Sequence, residues 1–278
     1  MVPWSYSIIA GASAGIIELS FMYPLDVLKT RYQASSQCRT RNIFSDLYVT
    51  LAKEKSGIYR GILFPILAEA PKIAVKFTAN AEFSKLLGSK SGLTETKASL
   101  VSGFATGMVE GMVVVVPELI KIRLQLPETR GKYSNSTHAA KHIFHNEGFH
   151  GLFRGTCATL LRNGIWNSCY FGTIKTCRSI LPTPSSKSRK LASDMLSGSI
   201  AGTLGTIFNT PFDVIKTRIQ ISNKPSRILP LAASIVKSEG WKALWKGFVP
   251  KVVRLGPGGG IMLIVYDQVT LFLMTSSG

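Results

Sequence analysis

The chain has 278 residues, 45% of them hydrophobic, with 33 lysines and arginines against 15 acids, a net charge of +18 and a mean hydropathy of +0.20. A basic nucleic-acid binder has a polar average, so these values speak against that class. They fit a membrane protein that meets anionic lipid or carries anions. The four cysteines, Cys38, Cys157, Cys169 and Cys177, show no CxxC spacing and read as small buried residues. No nucleophile–base pair or metal cluster emerges, so neither an enzyme nor a resident cofactor or metal is expected.

In chain order, the first apolar segment, "IIAGASAGIIELSFMYP" from Ile8, runs straight into "YPLDVLKTRYQ" from Tyr23, with no secretory leader visible before it. A polar stretch follows, then a short amphipathic helix, the step "YRG" at 59–61 and a second apolar segment. The pattern then returns. "VPELIKIRLQ" stands at 116–125 and "TPFDVIKTRIQ" starts at Thr210, with the matching steps "FRG" at 153–155 and "WKG" at 245–247. Copies two and three place Glu147-Gly148 and Glu239-Gly240 before their steps, where copy one has Lys53-Glu54. The repeats divide the chain into 1–92, 93–188 and 189–278. His138, His142 and His145, at helical spacing in copy two, read as a solvated helix face. The run "GPGGG" at 256–260 reads as a flexible or closely packed helix segment; no P-loop lysine-serine follows it.

The segments Gly11–Gln33, Gly103–Gln125 and Gly198–Gln220 each offer 23 residues, about 34 Å of helix and enough to cross a bilayer. Their partners run roughly over 61–87, 155–180 and 247–274. None of the six is free of polar residues, and charges inside a span face a cavity or pair with each other. The expected fold is therefore an all-α membrane protein: six transmembrane helices in three pseudo-symmetric repeats around a polar centre, with short amphipathic helices between them. Gly11/Gly15, Gly103/Gly107 and Gly198/Gly202 repeat a GxxxG spacing that permits close helix packing.

The triple phrase Pro-x-Asp/Glu-x-x-Lys-x-Arg-x-Gln, with its Glu-Gly and aromatic-basic-Gly companions, resembles the signature of the mitochondrial carrier family across the whole chain. "ILAEAPKIAVKF" at 66–77, "VPKVVRLGPGGGIMLIVYD" at 249–267 and "GIIE" at 15–18 resemble the 2-oxodicarboxylate branch of that family. The resemblance implies a monomeric, multi-pass protein of the mitochondrial inner membrane, both termini cytosolic. It would exchange 2-oxoadipate and 2-oxoglutarate by alternating-access antiport. A same-fold carrier of another anion, such as malate or citrate, is the other reading.

The resemblance also assigns residues. Asp26/Lys29, Glu118/Lys121 and Asp213/Lys216 would form a matrix gate through the pairs Asp26–Lys121, Glu118–Lys216 and Asp213–Lys29, braced by Gln33, Gln125 and Gln220. In copy two the proline slot holds Val116 and Pro117 comes one residue late, which shifts the expected kink. The cytosolic gate slots read Glu82/Lys85, Lys175/Arg178 and Asp267/Thr270. There Lys85–Lys175 would repel and only Arg178–Asp267 would be a full pair, so that gate should be weak. Substrate contacts fall on Lys72 and Lys76, then Arg162 and Asn163, then Arg254. Lys72 and Lys76 share a helical face. Arg162 and Arg254 each lie seven past the step glycine and so at one depth. Arginine suits a carboxylate because its fork bonds both oxygens. Glu18 and Glu110 occupy equivalent positions where copy three has Gly205. With Glu69 they would pair with cavity lysines, or relay a proton. Asn209 and Lys251 are further cavity candidates. Cardiolipin is the lipid implied at Arg60-Gly61, Arg154-Gly155 and Lys246-Gly247, where a helix N-terminus could take a phosphate.

Overall fold

The computed structural model describes residues 4–35, 43–90, 94–126, 129, 131–180, 187–222 and 226–275. Within these, each repeat gives a long helix, a short helix and a second long helix. Repeat one forms α1 (Trp4–Ala34), α2 (Ile43–Glu54) and α3 (Leu63–Lys90). Repeat two forms α4 (Glu95–Gln125), α5 (Ser136–Leu152) and α6 (Thr156–Ile180). Repeat three forms α7 (Lys187–Ile221), α8 (Ile228–Glu239) and α9 (Phe248–Thr275). All six expected long helices are present. Three stretches, Tyr6–Ala34, Glu95–Gln125 and Trp241–Thr275, are long and apolar enough to cross a membrane on length and composition alone. The others carry more charge, which the arrangement turns inward.

The six long helices form a closed ring in the order α1, α3, α4, α6, α7, α9 and back to α1. At one end α1, α4 and α7 also touch one another, so the ring narrows there. All three run as helix through their prolines, Pro24, Pro117 and Pro211. The one-residue displacement in repeat two leaves α4 continuous. α9 likewise passes unbroken through the glycine run at 256–260.

No common apolar core fills the ring. Each repeat instead packs its short segment against its proline-bearing helix. Repeat one buries Leu19, Tyr23, Val27 and Ile58; repeat two clusters Leu119, Ile120, Leu124 and Ile143; repeat three clusters Val214, Ile215, Ile219 and Ile235. Three satellite cores leave the centre to polar groups.

Helix contact is closest where side chains vanish. A Cβ on Gly107 would lie 2.3 Å from the Asn163 carbonyl oxygen, so α4 and α6 meet backbone to backbone. Gly148, inside α5, and Gly240, at the end of α8, take positive φ, 68° and 84°, and turn the chain sharply there. Repeat one, with Glu54 at that place, passes from α2 directly into the 3-10 turn Lys55–Tyr59. The described cysteines correct the expectation of buried thiols: Cys157 is exposed, and Cys169 and Cys177 are only partly covered. Cys38 lies outside the described residues. His138 and His145 are exposed and His142 packs edge-on against Tyr133; no metal-holding cluster exists among the described residues.

Candidate functional site

The acid and the lysine of each proline phrase are three residues apart, so they sit on one helical face. Convergence of α1, α4 and α7 brings each acid to the next helix's lysine. Asp26 meets Lys121 at 2.5 Å, Glu118 meets Lys216, and Asp213 meets Lys29 at 3.0 Å. The three pairs form a ring at the narrow end of the bundle.

Two arginines join this ring from above. Arg162 lies 2.8 Å from Glu118 and 3.4 Å from Asp213, and donates to Asn163 Oδ1 at 2.9 Å. Arg254 lies 2.6 Å from Asp26 and bonds both oxygens of Glu18 at 2.8–2.9 Å. Each guanidinium thus reaches down to the acids of the ring. Lys251 adds a further cation to Asp213, at 2.6 Å, and also donates to Asn209. Asp213 therefore has Lys29, Lys251 and Arg162 around it, whereas Asp26 and Glu118 each have two cations.

Higher up, Lys72 bonds Glu69 at 2.6 Å on the same helix. Lys76 crosses from α3 to Glu110 of α4 at 3.8 Å, and Asn167 donates to the same carboxylate oxygen, Oε2, at 2.9 Å. A cavity of about 180 Å³ opens above the ring, lined by Glu69, Lys72, Arg162, Arg254 and the paired acids and lysines. The interior network as a whole holds eight cations and six carboxylates. The cations are Lys29, Lys72, Lys76, Lys121, Arg162, Lys216, Lys251 and Arg254; the acids are Glu18, Asp26, Glu69, Glu110, Glu118 and Asp213. Two positive charges remain in excess.

Below the ring, two circles of charge-assisted bonds tie each repeat to the next. Arg31 donates to the Gln125 carbonyl at 3.2 Å, Arg123 to that of Gln220 at 3.0 Å, and Arg218 to that of Gln33 at 3.2 Å. Arg60 donates to Tyr133 O, Arg154 to Ser222 O and Lys246 to Ser35 O. Helix C-termini expose carbonyls with no helical partner, and cations satisfy them. The step cations Arg60, Arg154 and Lys246, read from sequence as lipid contacts, are thus engaged within the protein. Gly61, Gly155 and Gly247 keep positive φ ahead of α3, α6 and α9. The glutamines differ from expectation too. Gln33 accepts from Thr217 at 3.0 Å, and the buried side chains of Gln125 and Gln220 do not reach the ion pairs.

Glu147 takes Arg123 in a two-oxygen grip and lies 3.2 Å from Arg154; Glu239 does the same for Arg218 and bonds Lys246 at 2.6 Å. The hydrogen bonds from Arg218 and Lys246 hold the Glu239 carboxyl down at about 2, against the opposing effect of burial. Repeat one ties its short helix by a different bond, Tyr32 donating to Asp46.

At the wide end the expected gate residues stand apart. Glu82 and Lys85 pair along α3 at 3.0 Å, Asp267 is exposed, and the Arg178 side chain lies outside the described part. Lys175 does not face Lys85; it pairs with Glu95, the first residue of α4, at 2.9 Å. The Thr270 hydroxyl is buried without a partner among the described residues. Spacing along one helix gave no sign of Glu95, nor of Asn167 and Trp166 beside Lys76, because the partner in each case comes from another helix.

The sequence matches the mitochondrial carrier protein family over residues 1–91, 94–185 and 187–277. The chain belongs to the mitochondrial carrier family. As a mitochondrial carrier it is a transporter and not an enzyme, a multi-pass protein of the inner membrane with six spanning helices. It is 41% identical to mitochondrial 2-oxodicarboxylate carrier 2 of Saccharomyces cerevisiae over 98% of this chain and 94% of that one. It is 40% identical to the mitochondrial 2-oxodicarboxylate carrier of Mus musculus over 97% and 95%. Mitochondrial citrate transporter D of Aspergillus niger is 42% identical over 100% and 97%.

Proposed function

We propose that this carrier exchanges five- to seven-carbon 2-oxodicarboxylates, 2-oxoadipate and 2-oxoglutarate foremost, by alternating-access antiport. The observation that carries the reading is the interior excess of two positive charges, which a dianion neutralises. Similarity to relatives named for 2-oxodicarboxylates supports the same choice. A citrate trianion would leave the interior one charge negative, so a carrier built on this network would take citrate only as its singly protonated dianion.

Arg162 and Arg254 grip the two carboxylates, Asn163 donates to the 2-oxo oxygen, and Lys72 and Lys76 draw the anion in. A dianion that engages Arg162 and Arg254 competes with Glu118, Asp213 and Asp26 for the same guanidinium groups. Its arrival leaves each acid of the ring with fewer cationic partners, which links occupancy to the gate. Ion pairs that give up hydration gain little net energy, so such a ring can open. In this reading the ring is the closed matrix gate and the wide end faces the cytosol. Glu18, Glu69 and Glu110 balance the cavity cations until substrate displaces them. Cardiolipin phosphate would bind the backbone N–H groups at the starts of α3, α6 and α9, the step cations being already bonded. The carrier acts as a monomer, with no nucleic-acid partner.

The test is uptake of labelled 2-oxoglutarate into liposomes loaded with 2-oxoadipate, malate, citrate or ADP. Rapid exchange against 2-oxoadipate is expected. Exchange with ADP but not with 2-oxoadipate would overturn the substrate assignment.

A further inference from the structure

The three repeats depart from symmetry at one depth. Seven residues past the first glycine, α1 carries Glu18 and α4 carries Glu110, but α7 carries Gly205. Eleven residues past the step glycine, α3 carries Lys72, α6 carries Trp166 and α9 carries Gly258. The ring sets these two series against each other. Glu18 lies over Gly258, where a Cβ would sit 2.7 Å from its Oε1. Trp166 lies over Gly205, where a Cβ would sit 3.2 Å from both Cδ1 and Nε1 of the indole. Where two repeats place a carboxylate, the third clears room for an aromatic ring.

That ring belongs to the network of cations. Lys76 Nζ stands 5.2 Å from the indole centroid, within reach of a cation–π attraction. Tyr170 stacks on Trp166 at 4.8 Å with planes 11° apart, which fixes its orientation. Arg162 is four residues earlier on the same helix, about 6 Å along the axis toward the ion-pair ring. The indole therefore stands between two of the cations proposed to hold substrate.

We propose that Trp166 is a specificity-determining residue that reads the length of the substrate's carbon chain; this rests on the 2-oxodicarboxylate reading above. With its two carboxylates on Arg162 and Arg254, the dianion bows its intervening methylenes toward the indole, over which Lys76 stands. Apolar contact rewards each added methylene, and one methylene in an apolar pocket changes selectivity roughly 10-fold. Lys72 and Gly258, at the matching depth of the other two repeats, offer no such surface.

The experiment measures kcat/KM in liposomes for 2-oxoglutarate and 2-oxoadipate, which differ by one methylene, with wild type, Trp166→Phe and Trp166→Ala. Trp166→Ala is expected to lower the six-carbon value roughly 10-fold more than the five-carbon value, with Trp166→Phe between. Trp166→Phe keeps a ring against Gly205 and carries the comparison if the alanine variant does not fold. Equal losses for both acids in the variants, or an unchanged ratio, would make Trp166 a packing residue and overturn the proposal while leaving the carrier's function intact. A wild type inert toward both acids would sink the functional reading itself, and this inference with it.

Discussion

Arg254 holds Glu18 with one face of its guanidinium and Asp26 with another, so one side chain belongs to both the cavity and the ion-pair ring. Arg254→Ala should abolish uptake and also destabilise the protein by about 3 kcal/mol, because it strands two carboxylates. Pairing it with Glu18→Gln should recover part of the melting temperature in detergent while uptake stays absent; full recovery of uptake would deny Arg254 its role in binding. Glu239 gives a second residue-scale expectation. Its carboxyl is held below its unfolded value, so its stabilising contribution is present above about pH 4.3 and is lost as pH falls through about 2. Glu239→Gln should lower the melting temperature at pH 6 and flatten its decline between pH 5 and 3. An acid profile identical to wild type would show that the Arg218–Lys246 grip adds nothing.

Among the helices, α4 and α6 are the pair that leaves least room. Gly107→Ala puts a methyl group into the Asn163 carbonyl, which belongs to backbone and cannot swing aside. A loss of about 1–3 kcal/mol or more is expected, read as a lower melting temperature. Gly260→Ala, in a helix with nothing within 4 Å of the new atom, should be neutral or stabilising. A Gly107→Ala protein as stable as wild type would mean that this interface is looser than drawn. Helix existence, the glycine seams and the ring of acids and lysines are legible in the sequence, because spacing along a helix fixes face and depth, and threefold repetition supplies the missing partners. Asp26, Glu118 and Asp213 find their lysines for that reason. Lys251 on Asp213, Lys76 over Trp166 and Lys175 on Glu95 are not legible, since each depends on which residue a neighbouring helix turns toward it. The carbonyl partners of the step cations are not legible for the same cause: Arg60, Arg154 and Lys246 bond carbonyls that the next repeat brings within reach.

For the whole molecule, the structure is narrow at the ion-pair ring and wide at the end where Lys175 is drawn aside by Glu95. Both partners are substantially solvated, so the pair itself is weak, but it keeps a cation where repeats one and three carry the acids Glu82 and Asp267. Lys175→Asp supplies an acid for Lys85 to meet as this end closes, and should favour the state closed there. Labelling of a cysteine introduced at Leu19, which lines the cavity, in a background without the native cysteines, should slow toward a membrane-impermeant thiol reagent added from the wide end. Unchanged labelling would mean that Lys175 does not weigh on the balance of states.

The two circles of cation-to-carbonyl bonds carry a consequence for how the repeats are joined. The polypeptide links the first repeat to the second and the second to the third, yet Arg218 and Lys246 also fasten the third to Gln33 and Ser35 of the first. The seam between the third repeat and the first is therefore closed by side chains alone, with no peptide link across it. Joining residue 278 to residue 1 and cutting instead between repeats would preserve every strap, whereas omitting any one hairpin would leave two unfastened edges that no shorter ring can mend.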